Sequence, residues 1–372
     1  VNRGGFLPIT WKNYYEFFQV PARRWWWALI ALVAYGVAFV VVMVIVVLVW
    51  VRLDQNAFED PDTTSPSDFL GNNLYNATDI ALCTLIAFVF FRQGFGWLCS
   101  VVGRMRWRWL LLALGIAMVG YGVVALGEIA FLGVEHFGAD DMEWKPYTWF
   151  VIATIVLTTP LQCAGEEFQA RALLPKLIAA IVPIRHLGLL LSAILPAILF
   201  TVMHNAQDFW LNLDYVCFAL MAWWLAYRTG GIEASIALHL ANNLWALWMI
   251  PFQDFSDLFD RSDGTGSPFG LAYIGLDLGL VLLIDYVGRR RGIVRLSAPA
   301  AGQPVVVKPR AFWSDVTIDP PVVASQEDLP RINTTVRLWV PDPALVPNTA
   351  VPVFPAATFP YNNETITKGP AS

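Results

Sequence analysis

The sequence predicts an all-α polytopic membrane protein, a bundle of about eight transmembrane helices followed by a disordered, proline-rich C-terminal tail. Three observations carry this expectation. The 372 residues are 57% hydrophobic and 14% charged, against roughly one quarter charged in soluble domains. Apolar runs long enough to cross a bilayer recur along most of the chain. The charges between them also alternate in sign from one loop to the next, as the positive-inside rule requires. A net charge of −5, with no basic face interleaved with aromatics, excludes nucleic acid as a partner. Cys83, Cys99, Cys163 and Cys217 lie in or beside apolar runs with no C-x-x-C spacing, which indicates neither disulfides nor a thiolate zinc site.

Residues 1–24 combine Trp11, Lys12, Tyr14, Tyr15, Phe17 and Phe18 with Arg23 and Arg24, a mix suited to a cytoplasmic interfacial segment. Residues 25–288 form the expected bundle. Its first run, Trp25 to Val51, is too long for a signal-peptide core and lacks a small-residue cleavage site, so it reads as a retained span. Further spans are expected over about 69–91, 109–134, 147–182, 187–206, 209–227, 231–251 and 268–287. Pro160 is expected to break or kink the fourth. Bases gather before the first span and after the even-numbered ones, at Arg92, Arg104, Arg106, Arg108, Lys176, Arg185 and Arg289 to Arg291. Acidic loops follow the first, third and seventh. Both termini are therefore expected in the cytoplasm, with the bundle in a bacterial plasma membrane. Residues 289–372 are basic at first and then hold more than half of the 24 prolines. This tail is expected to be disordered or extended, with partner docking rather than catalysis as its role.

The chemistry-bearing residues stand out because ionisable groups in lipid are costly unless paired or set in a wet cavity. Gly165-Glu166-Glu167-Phe168-Gln169-Ala170-Arg171 ends an apolar run with two acids and a base. Two of the four histidines fall inside expected spans: His204 closes Phe200 to His204, and His239 opens His239 to Asn243. Residues four apart share a helix face, so His239 and Asn243 point into one cavity. Hydrolysis of a peptide bond needs a held and deprotonated water, donors for the carbonyl oxygen and a proton for the leaving amine. Glu166 and His204 suit the water, and His239 and Asn243 suit the oxygen. Arg171 suits the support of the carboxylates.

Each residue also has a plain reading. A membrane histidine often makes only a helix–helix hydrogen bond, and two acids near a membrane end are often interfacial. Their grouping on three separate apolar segments favours function. His136 and His186 read as loop residues. No H-E-x-x-H occurs, and Asp79, Asp277 and Asp285 lack the pattern of an aspartyl dyad.

In this order, E-E-x-x-x-R, F-x-x-x-H and H-x-x-x-N resemble the CPBP family, which includes CAAX prenyl endopeptidases and bacterial Abi-type proteins. The resemblance covers about 148–250, and Arg228-Thr229-Gly230-Gly231 is similar too. It implies a bundle of about eight helices around a membrane cavity, with peptide-bond hydrolysis in a membrane protein or lipid-linked peptide. By motif position, Glu166 would be the base acting with His204. His239 and Asn243 would form the oxyanion site, supported by Glu167 and Arg171. A divalent metal, Zn2+, would be held by Glu166, His204 and His239. Ala170-Arg171-Ala172 replaces the Phe-Arg-Gly of many bacterial members. A second function class is a non-catalytic or immunity-type scaffold that uses the bundle to bind a partner. A third is a proton-relay transporter, for which no inverted repeat is visible.

One structural demand follows. A plain fourth span would leave Glu166 near one membrane face and His204 near the other, more than about 20 Å apart at 1.5 Å per residue. Region 147–182 must therefore be a long tilted helix or be broken near Pro160, so that Glu166 reaches mid-membrane depth.

Overall fold

A computed structural model describes residues 6–54, 64–133, 142–254 and 261–300, plus the backbone of two paired two-residue strands at Val306–Val307 and Val336–Arg337. His136, most of the acidic loops and the remainder of the proline-rich tail lie outside the described residues.

Ten α-helices occur among the described residues: α1 Trp25–Leu53, α2 Pro66–Phe91, α3 Phe95–Cys99, α4 Trp107–Leu132, α5 Thr148–Glu167, α6 Leu174–Ile181, α7 Arg185–Met203, α8 Phe209–Thr229, α9 Glu233–Leu247 and α10 Gly270–Arg290. Taking α5 to α6 as one unit, seven are long and apolar enough to span a membrane. The expected count of about eight differs at α9, which has only 15 residues and is buried along most of its length. It still joins the two ends of the bundle. Glu233 at its start meets Arg106 at the start of α4, and Pro251 beyond its end accepts a hydrogen bond from Thr148 at the start of α5. A buried helix is shielded from lipid by its neighbours, so it needs neither the length nor the uniform apolarity of a lipid-facing span.

Small residues set the packing, as expected where helices associate by van der Waals fit rather than by expelling water. Ala113 and Ala117 of α4 face Ala234, Ala237 and Ala241 of α9 in one buried cluster. α5 lies against α2 so closely that a Cβ on Gly165 would sit 1.9 Å from the Asn76 carbonyl oxygen. Only glycine allows that approach, and Glu166 follows it directly. By contrast, α1 is mostly lipid-facing; Ala28, Ala31 and Tyr35 form its buried stripe.

Helix boundaries follow local chemistry. Ser65 and Asp68 make a capping box at the start of α2. Asp208 caps α8 by accepting from the backbone N–H groups of Trp210 and Leu211. Gly230, at φ +70°, ends α8 in the left-handed conformation. It then docks on the α3–α4 loop, where Val101 N–H donates to the Gly230 carbonyl at 2.9 Å.

Residues 12–20 do not lie along the surface as an amphiphile. Lys12–Asn13 (β1) pairs with Leu296–Ser297 (β2), and Tyr14, Tyr15, Phe17 and Phe18 are fully buried in the bundle end. Tyr15 stacks on Trp223 with ring centroids 5.0 Å apart. The side chain of Lys176, buried on α6, lies 3.7 Å from the Tyr14 ring centroid and donates to the Trp97 carbonyl. The aromatic residues are therefore a plug beneath the spans.

Candidate active site

The fourth region is long rather than broken at Pro160. Thr148–Ile181 forms one helical unit of 34 residues, about 50 Å at 1.5 Å per residue and longer than the ~30 Å hydrocarbon core. Glu166 and Glu167 stand just past its midpoint. Pro160 lies inside α5 without ending it. The irregularity falls later, as a π-helical turn over Phe168–Leu173 in which Leu174 N–H bonds to the Gln169 carbonyl. Pro175 supplies a reason: it has no N–H for the Arg171 carbonyl, and its ring crowds that carbonyl. Single π-turns of this kind are frequent at functional sites. Ala170 and Ala172 are both buried within the turn.

α5 and α9 meet as an antiparallel ladder. Glu166 Oε2 lies 3.6 Å from His239 Nε2. One turn away on each helix, Asn243 Nδ2 donates to Gln162 Oε1 at 3.1 Å. Gln162 Nε2 donates in turn to Glu166 Oε1, closing the ladder. Glu167 is completely buried on the neighbouring face. Its Oε1 stands 3.0 Å from His239 Nδ1 and 3.1 Å from Arg171 Nη1. Ser235, a turn before His239, donates its hydroxyl to the Ile232 carbonyl at 3.0 Å. The Arg171 guanidinium carbon lies 4.3 Å from the Phe200 ring centroid, a cation–π contact that shields the charge from lipid. Glu166, Glu167, Arg171, His239 and Asn243 are thus brought into one connected network.

His204 joins by a different route. At the C-cap of α7 its Nδ1 lies 2.7 Å from the Phe200 carbonyl oxygen. Its ring packs on Phe200, with centroids 4.4 Å apart, and on Tyr215 at 4.2 Å. Phe200 also meets the His239 ring edge-on, so one phenyl ring contacts both imidazoles. His186 is exposed in the first turn of α7. Asp79, Asp277 and Asp285 do not form a dyad; they pair separately with Tyr35, Tyr121 and Arg228.

The donor types suit a divalent metal. Both imidazoles place Nδ1 against an oxygen, which leaves Nε2 as the lone-pair nitrogen, and Glu166 Oε2 is buried without a hydrogen-bond partner. Their spacing is looser than ligation requires. Among the described residues no three His, Cys, Asp or Glu side chains form a ligand set. Glu166, His204 and His239 therefore fit a metal in chemistry and not in spacing, and no step below is routed through one.

Gln162, Ser235, Phe218 and Tyr215 carry no motif in the sequence, whereas Phe200 is the first residue of F-x-x-x-H. Gln162 and Ser235 were detectable as polar residues one helical turn before Glu166 and His239. Phe218 and Tyr215 carry no such signal among so many other aromatics.

The class these features define is a multi-pass membrane protein with a carboxylate–imidazole–guanidinium site buried at mid-bundle. The family model described as "Type II CAAX prenyl endopeptidase Rce1-like" matches residues 146–245, from the start of α5 into α9. That segment contains all seven motif residues, and the match agrees with the resemblance the motifs carry. An uncharacterized protein of Bacillus subtilis (strain 168), YyaK, is 23% identical over 239 residues, covering 61% of this chain and 77% of the relative. No solved structure matches the chain.

Proposed function

We propose that the protein is an intramembrane endopeptidase that hydrolyses a peptide bond in a membrane protein or lipid-linked peptide. The observation that carries this reading is the α5–α9 ladder, in which Glu166 Oε2 lacks a hydrogen-bond donor beside His239 Nε2. Glu166 and His204 hold the attacking water. Glu166 takes its proton as the water oxygen bonds to the carbonyl carbon. The same carboxyl then delivers the proton to the leaving amine as the C–N bond breaks. His239 and Asn243 meet the negative charge that develops on the carbonyl oxygen. Two requirements follow for these donors. Asn243 Nδ2 must turn from Gln162, and His239, whose Nδ1 proton faces Glu167, must carry a second proton on Nε2. Arg171 acts through Glu167 as a positioning residue.

A Zn2+ ion at Glu166, His204 and His239 is the alternative form of this proposal: it would take the Nε2 lone pair of His239, leaving Asn243 as the oxyanion donor, and when bound it would acidify the water. Elemental analysis of the purified protein should find about one zinc per chain, reduced in His239→Ala. Equal metal content in both proteins would remove zinc from the account. The basic end of the bundle, with both termini, is assigned to the cytoplasm of a bacterial plasma membrane.

The functional test compares membrane-protein N-termini in cells expressing the wild type or Glu166→Ala at equal abundance. New N-termini present only with the wild type are expected. An unchanged set would leave the non-catalytic scaffold as the better reading.

A further inference from the structure

A second polar site lies at the basic end of the bundle, away from the ladder. A cavity of about 570 Å³ is bounded by the N-terminal plug, the start of α1 and the α6–α7 connection. Its walls bring together Lys12, Arg23, Arg24 and Arg185, with Glu16 as the one acid. The Glu16 charge is already offset, since Arg185 Nε lies 2.7 Å from one oxygen of the carboxylate and Lys12 Nζ 3.8 Å from it. The remaining charge of the cavity is therefore positive.

The position of the cavity is as informative as its charge. Trp25 and Trp26, both exposed, open α1 beside it, where amphipathic indoles mark the headgroup level of a bilayer. The Arg23 guanidinium lies over the rings of Phe6 and Trp27, at 4.8 and 4.3 Å, and its Nε donates to the Phe90 carbonyl. Arg23 is thus fixed in place, whereas Arg24 is exposed at the cavity wall. Planar, fixed guanidinium groups recognise phosphate oxygens, and basic pockets between spans on the cytoplasmic side bind anionic headgroups.

We propose that this cavity binds the phosphate headgroup of an anionic phospholipid and so anchors the N-terminal plug to the membrane. The shared chemistry is a phosphate-bearing anion; the lipid is the assigned source because the cavity opens beside lipid-facing tryptophans. This proposal stands apart from the hydrolytic reading.

Native mass spectrometry of the full chain in detergent tests it. The protein is titrated with phosphatidylglycerol, with phosphatidylcholine of the same acyl chains, and with glycerol 3-phosphate. Phosphatidylglycerol is expected to occupy the protein at severalfold lower concentration than phosphatidylcholine. Arg24→Gln should weaken that binding about fivefold, Lys12→Gln by a similar factor, and Arg24→Lys little. Equal binding of the two lipids, or a full preference retained in Arg24→Gln and Lys12→Gln, would overturn the proposal. Glycerol 3-phosphate binding as tightly as phosphatidylglycerol would make this a soluble-phosphate site and overturn the lipid assignment.

Discussion

Two buried ionic clusters share helix α9, about 9 Å apart along its axis, and they are built differently. At Glu233 every charge has its complement. Arg106 meets both carboxylate oxygens, at 2.8 and 2.6 Å, and its remaining donor reaches the carbonyls of Thr229 and Val294. At His239 the complement is incomplete. One oxygen of Glu166, one of Glu167 and Nη2 of Arg171 make no hydrogen bond, and Arg171 Nη1 has only its 3.1 Å ion pair with Glu167. A fully paired cluster ties the α4 start, the α8–α9 turn and the segment between α10 and β2 together. An incompletely paired one retains capacity to bind something else, at a cost in stability that a purely structural site would not carry.

The largest effect expected from this contrast is at the staple. Arg106→Ala leaves the Glu233 carboxylate buried without its partner and should cost about 3–5 kcal/mol. Thermal unfolding in detergent, together with the yield of folded protein, measures it. A loss below about 1 kcal/mol would mean that the cluster is better hydrated than the geometry indicates.

Asn243→Ala should behave in the opposite sense. The substitution removes one hydrogen bond to Gln162, worth about 1 kcal/mol, but should lower cleavage by about a hundredfold if Asn243 serves the oxyanion. The rate of appearance of a wild-type-dependent N-terminus, read beside the melting temperature, separates the two effects. A proportionate loss of both would make Asn243 a packing residue.

Much of this contrast was legible in the sequence, because strong local patterns survive folding. The lipid-facing spans follow directly from apolar runs, and the four-residue spacings of Glu167 with Arg171 and of His239 with Asn243 place each pair on a shared helix face. What escaped depended on which surface each segment meets. Tyr14, Tyr15, Phe17 and Phe18 fit a membrane interface and a buried plug equally well by composition; only the pairing of β1 with β2 separates them. The break expected at Pro160 appears instead as the π-turn ahead of Pro175. The helix continues through Pro160, and that continuity sets Glu166 just past the midpoint of the 34-residue unit. His239, rather than His204, stands directly beside Glu166, because α9 packs on α5 while His204 reaches the site across Phe200.

The most direct test of the contrast is the melting temperature of Glu166→Ala measured beside that of Glu233→Ala in one detergent. If the mid-bundle cluster is kept for chemistry, removing Glu166 deletes a carboxylate whose Oε2 has no donor. Glu166→Ala should then melt at or above the wild-type temperature while Glu233→Ala falls by several degrees. A fall at Glu166→Ala equal to that at Glu233→Ala would make both clusters structural and contradict the account.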